Sequence, residues 1–345
     1  MAQPFVNIVI ITYNGYSYTE ACLLSLLKSD YHNFKFFLVD NGSTKKDYEF
    51  FLNKYRKNKK IEFIRIDKNR GFAAGCNAAL KRIKKGYIAF VNNDTLVAKD
   101  WLNPIISYME NNPEVGMCQP KIIDLKKKEY FEYAGAAGGF MDVYGFPFAR
   151  GRVFFTIEKD KGQYDDIVDI VWTGTVLVTK KEVIDKVGYF DDIFFLYAEE
   201  ADLCWRIHHA GFRIVYIPNS IIYHYGSTKN IVDKTFYNHR NGLIMLIKNY
   251  SVFQLIRYLP VRLLLDLIAF FYYLVIYFPN CWEMTKAYLS LFYLMPKVLH
   301  QRADINKLKR INGKPKYKYH LYKKSIIIDY FLKGKKNFKE LNYEF

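Results

Sequence analysis

Short β-branched and aliphatic runs alternate with helix-spaced segments through the first hundred positions. Residues 5–12 (FVNIVIIT) show no periodic polar face, the pattern of a strand covered on both sides, and 34–39, 61–66 and 86–91 read as further short strands. Between them, 18–28, 46–55 and 71–83 carry helical spacing. This rhythm predicts an α/β fold built on a mostly parallel, doubly wound sheet. A helix over 101–109 and a strand over 116–122 continue it. Residues 126–169, broken by Gly135, Gly138, Gly139, Gly145 and Gly151 among others, read as irregular loops. A strand over 168–179 with Gly174 inside it, helices over 180–187 and 201–210, and strands over 212–217 and 221–223 on either side of Pro218 complete the region.

Polar motifs interrupt this pattern where strands end. Thr12-Tyr13-Asn14 follows the first strand, Asp40-Asn41-Gly42-Ser43 the second and Asn92-Asn93-Asp94 the fourth. In open α/β sheets, ligands sit beyond the carboxyl ends of the strands, where these motifs fall.

After about residue 231 the character changes. Residues 236–248 read as a helix carrying Arg240 and Asn241. Residues 263–278 (LLLDLIAFFYYLVIYF) are apolar except for Asp266, and 288–299 form a second apolar segment. The first is short for a span, which needs about 20 residues. Helices lying in a membrane interface fit better, with a re-entrant hairpin or a lid or dimer surface as alternatives. Of the +17 formal charge, +11 lies in residues 251–345, where 17 Lys and Arg face 6 Asp and Glu. A basic, apolar region suggests an anionic membrane surface rather than nucleic acid, for which zinc-finger or ribonucleoprotein signatures are lacking. The five cysteines have no metal-ligand spacing and fit a reduced, cytosolic setting. The N-terminus does not read as a secretory signal.

The polar motifs offer groups for holding a nucleoside diphosphate. Asp40 and the Asn41-Gly42-Ser43 turn supply an acceptor and backbone donors for a base or ribose, although a helix cap explains them equally. Thr12 and Asn14 line the same region. Residues 69–77 (NRGFAAGCN) set small residues at a helix start, suiting a phosphate beside Arg70, Gly71 and Asn77, or else close packing. Asp94, flanked by Asn93, is a candidate ligand for Mg²⁺ or Mn²⁺, with His224 as helper; a lone histidine is more often structural. Glu199, Glu200 and Asp202 open a helix. Acids favour a helix N-terminus, yet their adjacency would also raise a pKa, as a general base requires. Glu200 is best placed to reach a bound hydroxyl. Arg206, four residues beyond Asp202, would pair with it and make it an orienting acid. His208 and His209 read as helix-surface residues.

Taken in order, these motifs resemble family 2 glycosyltransferases with the GT-A fold, especially the rhamnosyltransferase-like branch that builds bacterial polysaccharides. The resemblance covers residues 4–227. It implies that Asp40 contacts the nucleotide, that Asp94 stands for the metal-binding Asp of an Asp-x-Asp motif whose first position here is Asn92, and that Glu199, Glu200 and Asp202 match the family's Glu-Asp-x-Asp segment. Glu200 then takes the place of the base, and His224 that of a late His near the diphosphate. Trp172, Thr173 and Gly174 resemble the strand before the acceptor site.

The resemblance implies an inverting, metal-dependent transfer from a nucleoside diphosphate sugar, first dTDP-L-rhamnose, to a glycan or polyprenyl-diphosphate-linked acceptor. A UDP-hexose-dependent transferase and a catalytically weak glycan-binding relative are the alternatives. A sugar-phosphate nucleotidyltransferase would need a glycine-rich basic loop after the first strand, which Tyr13–Ser17 does not supply. The expected organisation is a catalytic domain over 1–230 (donor half about 1–100, acceptor half about 101–230), an apolar helical region over 231–300 and a basic extension over 301–345. The expected location is peripheral, on the cytoplasmic face of the plasma membrane, and a homo-oligomer is compatible with it.

Overall fold

A computed structural model describes residues 3–226, 231–312, 317 and 320–344. Strands β1 (Val6–Thr12), β2 (Phe34–Asn41), β3 (Ile61–Ile66) and β4 (Tyr87–Asn92) run parallel, connected by helices α1 (Tyr16–Leu27), α2 (Lys45–Tyr55) and α3 (Gly71–Leu80). The unbroken apolar character of β1 has a direct cause. Ile8 and Ile10 enter the core beneath α1, while Val9 and Ile11 enter a second core on the opposite face with Ala73 and Cys76 of α3. Gly75 lets α3 approach, because a Cβ there would lie 2.9 Å from the Ile11 side chain.

Beyond β4 the sheet becomes mixed. After β5 (Thr95–Val97), α4 (Asn103–Asn111) and β6 (Val115–Asp124), the chain forms a separate antiparallel sheet of β7 (Gly139–Met141), β8 (Pro147–Ala149), β9 (Arg152–Val153) and β10 (Thr156–Ile157). The stretch expected to be irregular thus contains paired strands, too short to show alternation. The strand expected over 168–179 is two: β11 (Val168–Asp169) and β12 (Val176–Lys180), separated by a loop in which Thr175 has φ 57°. After β12 come α5 (Lys181–Val187), α6 (Glu199–His209) and β13 (Arg213–His224). β12 runs antiparallel between β4 and β6, giving the order β11-β13-β6-β12-β4-β1-β2-β3. β13 continues through Pro218 by an irregularity between Ile217 and Ile221, and its end pairs with β5.

Helices α7 (Ile231–Asn249), α8 (Val252–Ile276) and α9 (Phe278–Asn312) follow. The expected boundary at residue 230 adjoins residues 227–230, outside the described residues. α8 starts well before residue 263 because a Ser251–Gln254 capping box secures its first turn and Pro260 is accommodated inside it. α9 crosses the expected boundary at residue 300 without a break. The described residues of the basic C-terminal segment beyond 320 pack against the rest of the chain. Tyr322 bridges to Asp142, Ile326 N–H donates to Asp142 Oδ2 (3.0 Å), and Phe338 packs on Phe140 and Phe148.

Candidate active site

The strand register brings the first three motifs together. Thr12 lies beside Asp40, and Ile11 beside Asn92, so the carboxyl ends of β2, β1 and β4 form one edge. The strand order reverses between β1 and β4, the position where such sheets open a crevice.

At the ends of β1 and β2, Asn14 takes the left-handed conformation (φ 51°) and ties two turns together. Its N–H donates to Ser43 Oγ, and its Oδ1 accepts from Thr44 N–H, both at 2.9 Å. Asp40 Oδ1 accepts from Ser43 N–H (3.2 Å) and Oδ2 faces Arg65 Nη1 at 3.1 Å. Gly42 (φ 82°) is required, because a Cβ would lie 2.5 Å from the backbone of residues 68 and 69. Thr12 Oγ1 accepts from Thr19 Oγ1, which in turn accepts from Asn93 Nδ2 (2.9 Å).

The glycine-rich segment behaves differently from its expected role. At the start of α3, Gly71 N–H donates to Asn69 Oδ1 (3.0 Å) and Phe72 N–H to Phe195 O (2.8 Å). Protein acceptors therefore occupy the groups a phosphate would need. Gly71 (φ 85°) lets the chain before α6 close on it, since a Cβ would lie 2.1 Å from Phe195 O. Asn77 also serves packing. Its amide donates to Phe190 O (2.8 Å) and Asp192 Oδ1 (2.7 Å), while its oxygen accepts from Phe190 N–H (3.0 Å). Of this segment, Arg70 is exposed at the rim.

The β5–β13 pairing sets His224 beside Asp94. His224 Nε2 lies 3.1 Å from Asp94 Oδ1, and its Nδ1 lies 3.0 Å from Glu132 Oε2. Burial would lower the His224 pKa, but Asp94 and Glu132 outweigh it and lift it to about 10. Burial would raise that of Asp94, and His224 instead holds it below the usual carboxylate range. The pair could hold a divalent ion only once His224 gives up the Nε2 proton that it shares with Asp94, because a ligating imidazole nitrogen must be neutral. Two ligands at about 2.1 Å and right angles on an octahedral ion stand about 3 Å apart. Glu132 would then orient the imidazole from its far nitrogen. Among the described residues no three His, Cys, Asp or Glu side chains share a metal position. Remaining ligands would therefore come from the diphosphate.

The acids stand at the first turn of α6, where the macrodipole favours them. Glu199 and Glu200 each have one buried oxygen, Oε2, without a hydrogen-bond partner among the described residues. Burial pushes Glu200 up to about 7; burial and Glu200 together raise Glu199 well above its ordinary value. Such orphaned buried oxygens mark a place where a ligand's hydroxyl can be received. The loop before β12 runs between α6 and the end of β4. Thr173 Oγ1 contacts Cys204 Sγ of α6 (3.6 Å), Thr175 Oγ1 donates to Ala134 O (2.9 Å) near Glu132, and Thr175 O accepts from Asn92 N–H (3.1 Å). The loop therefore touches α6 one turn beyond Glu200 and the end of β4 two residues before Asp94.

Asp202 is corrected from catalytic candidate to structural anchor. It is wholly buried and pairs with Arg206 Nε (2.9 Å), Lys248 Nζ (2.9 Å) and Asn249 Nδ2 (3.1 Å). The pair with Arg206 follows from the i,i+4 spacing, but Lys248 comes from α7 and was invisible in the sequence. His208 and His209 are buried, not on the helix surface. Glu132 escaped the sequence reading because it lies in a loop without periodic signal. All five cysteines are free and buried.

The family model for glycosyl transferase family 2 matches residues 7–177. An uncharacterized glycosyltransferase of Haemophilus influenzae is 32% identical, over 32% of this chain and 45% of its own length. A poly-beta-1,6-N-acetyl-D-glucosamine synthase of Staphylococcus epidermidis is 22% identical, over 63% of this chain and 48% of its own. The chain thus spans under half the length of each. The crystal structure of GalNAc-T7 with UDP, GalNAc and Mn²⁺ superposes with a TM-score of 0.56 at 15% identity, covering 71% of this chain and 48% of that one, a likeness of fold. The ordered motifs, the mixed sheet and the family match agree: through residues 7–177, this chain belongs to glycosyl transferase family 2.

Proposed function

We propose that this protein transfers a sugar from a nucleoside diphosphate donor to a hydroxyl of a growing glycan, with inversion at the anomeric carbon. The observation that carries the reading is Glu200, whose Oε2 is buried and unpartnered among the described residues, on the first turn of the helix that the loop before β12 contacts one turn later. Glu200 accepts the acceptor's hydroxyl proton as that oxygen attacks the anomeric carbon from the face opposite the diphosphate. The C1–O bond to the diphosphate breaks in the same step, so no covalent enzyme intermediate forms. Asp94 and His224 would hold a Mg²⁺ or Mn²⁺ ion, which when bound stabilises charge on the diphosphate. Asp40, Thr12 and Asn14 shape the nucleoside end. The branch resemblance favours dTDP-L-rhamnose as donor. The staphylococcal relative favours N-acetyl-D-glucosamine as the alternative sugar. The purified chain, given a panel of dTDP-, UDP- and GDP-sugars with Mn²⁺, should release the nucleoside diphosphate from one of them. Release from none overturns the reading.

Asp94→Ala should abolish the Mn²⁺-dependent part of nucleoside diphosphate binding while leaving metal-free binding unchanged. Calorimetric titration with and without Mn²⁺ checks this, and an unchanged metal effect removes Asp94 as a ligand.

The acceptor is proposed to be lipid-linked, reached from the cytoplasmic face of the membrane. α8 supports this by an inverted pattern. Its inward face carries Arg262 and Asp266, 2% and 1% exposed, joined to each other (3.1 Å) and through Asp266 to His239 (3.2 Å) and Tyr288 (2.9 Å). Its outward face carries exposed Ile256, Leu264, Ile268 and Val275. α8 is also long and apolar enough to cross a membrane. A polar inner face and apolar outer face suit lipid better than water. Ile256→Glu with Ile268→Glu should reduce sedimentation with anionic vesicles at least about tenfold, as two buried apolar side chains are lost. Equal sedimentation would reject the membrane contact.

A further inference from the structure

The chain leading into Glu199 and Glu200 is held in an uncommon conformation. Phe195 (φ 60°), Tyr197 (φ 66°) and Ala198 (φ 69°) all occupy the left-handed region, which non-glycine residues rarely adopt. Three such residues within four positions persist only where surrounding structure over-determines them. Here the determinant is α7. Asn241, fully buried, places Nδ2 3.0 Å from Phe194 O, 2.8 Å from Leu196 O and 2.7 Å from Tyr197 O. Its Oδ1 accepts from Arg240 Nε (2.9 Å), and Arg240 Nη2 donates to Ile193 O and Phe194 O at 3.1 Å each. One turn earlier on α7, Tyr237 stacks on Phe195 at 5.8 Å with a 10° interplanar angle. The same segment accepts the Phe72 N–H of α3 through Phe195 O.

We propose that Asn241 and Arg240 are positioning residues for the transfer reaction: from outside the family-matched region, they clamp the left-handed segment 195–198 and thereby fix where Glu200 stands. This rests on the proposed role of Glu200 as base. The physical argument is one of direction. Each left-handed residue turns its carbonyl away from the helical path, and carbonyls of 194, 196 and 197 converge on a single amide. Without donors there, these oxygens would repel one another in a water-poor setting, and the segment would relax toward ordinary backbone angles. Ala198 O accepts the first helical bond of α6, from Asp202 N–H (2.9 Å), so relaxation passes straight into the turn that carries Glu200.

Asn241→Asp keeps the shape and removes the donors; Arg240→Lys is the milder second variant. In the full chain, Asn241→Asp should lower kcat about 100-fold, the scale of a misplacement of about 1 Å, with donor KM within about twofold of native. The acid limb of the kcat–pH profile should move, because both the new carboxylate and the displaced turn alter the surroundings of Glu200. Amide hydrogen exchange across 194–199, measured without nucleotide, should accelerate. Arg240→Lys should show the same changes in smaller degree. Native kcat, or a kcat loss with an unmoved pH limb and native exchange, overturns the clamp. Should the native chain turn over no sugar nucleotide, the transferase reading fails, and unchanged exchange in both variants separately overturns the clamp.

Discussion

Glu200→Gln leaves a folded protein whose turnover is lower by about 10²–10⁴-fold, the usual worth of a positioned general base. Glutamine matches the size of glutamate and still fills the first turn of α6, so donor binding at Asp40 and Asp94 should persist. The native enzyme should also lose activity as pH falls through about 7, where burial has placed Glu200. Only the ionised carboxylate can accept the acceptor's proton. The linkage sign runs the other way for stability. Because the folded pKa lies above the ordinary 4.5, this group's favourable contribution is complete below 4.5 and is lost as pH rises through about 7. Glu200→Gln removes that loss. Its melting temperature at pH 8 should therefore equal or exceed native. Coupled measurement of kcat and melting temperature checks both halves. Native turnover in this variant removes Glu200 as the base.

Much of this site was legible because strand ends are legible. The apolar run of β1 and the Asp40-Asn41-Gly42-Ser43 turn each fix a register position, and parallel pairing then puts Thr12 beside Asp40 without further information. The Asp202–Arg206 pair followed from helical spacing. What the sequence concealed depends on contacts between residues 44 to 115 positions apart. Asn77 looks like a phosphate-loop residue, but Phe190 and Asp192, more than a hundred residues on, consume its amide. Asn241 looks like any polar helix residue until its three carbonyl partners are seen. The two-residue strands β9 and β10 are too short for period-two alternation to register. α8 was underestimated because Arg257, Pro260 and Arg262 look like interruptions. Arg262 is instead neutralised by Asp266 one turn away, and this lets the helix run on.

Asp202→Ala should be the most destabilising single change in the acidic segment, at about 3–5 kcal/mol, because it strands buried positive charge. Lys248 and Arg206 have side chains 2% and 8% exposed, and both direct charge at Asp202. Burial alone would raise the Asp202 carboxyl, but Lys248 and Arg206 outweigh it and hold it below 3.8. A depressed carboxyl contributes its full stabilisation above its ordinary value and loses it as pH falls through the lower folded one. The native protein therefore keeps this contribution throughout the neutral range, and the variant lacks it there. A fall of about 6 °C or more in melting temperature is expected for a chain of this size. Lys248 also meets Asp191 Oδ2 at 2.6 Å, so its charge is only half stranded, whereas Asp202 holds α6 to α7 directly. Adding Lys248→Met to Asp202→Ala should restore part of the loss, because the pair is coupled. A melting temperature within about 2 °C of native in Asp202→Ala would show that the carboxylate does not anchor the helix. The outcome separates two acids two residues apart: loss of Glu200 removes turnover from an intact fold, and loss of Asp202 removes the fold that aims Glu200.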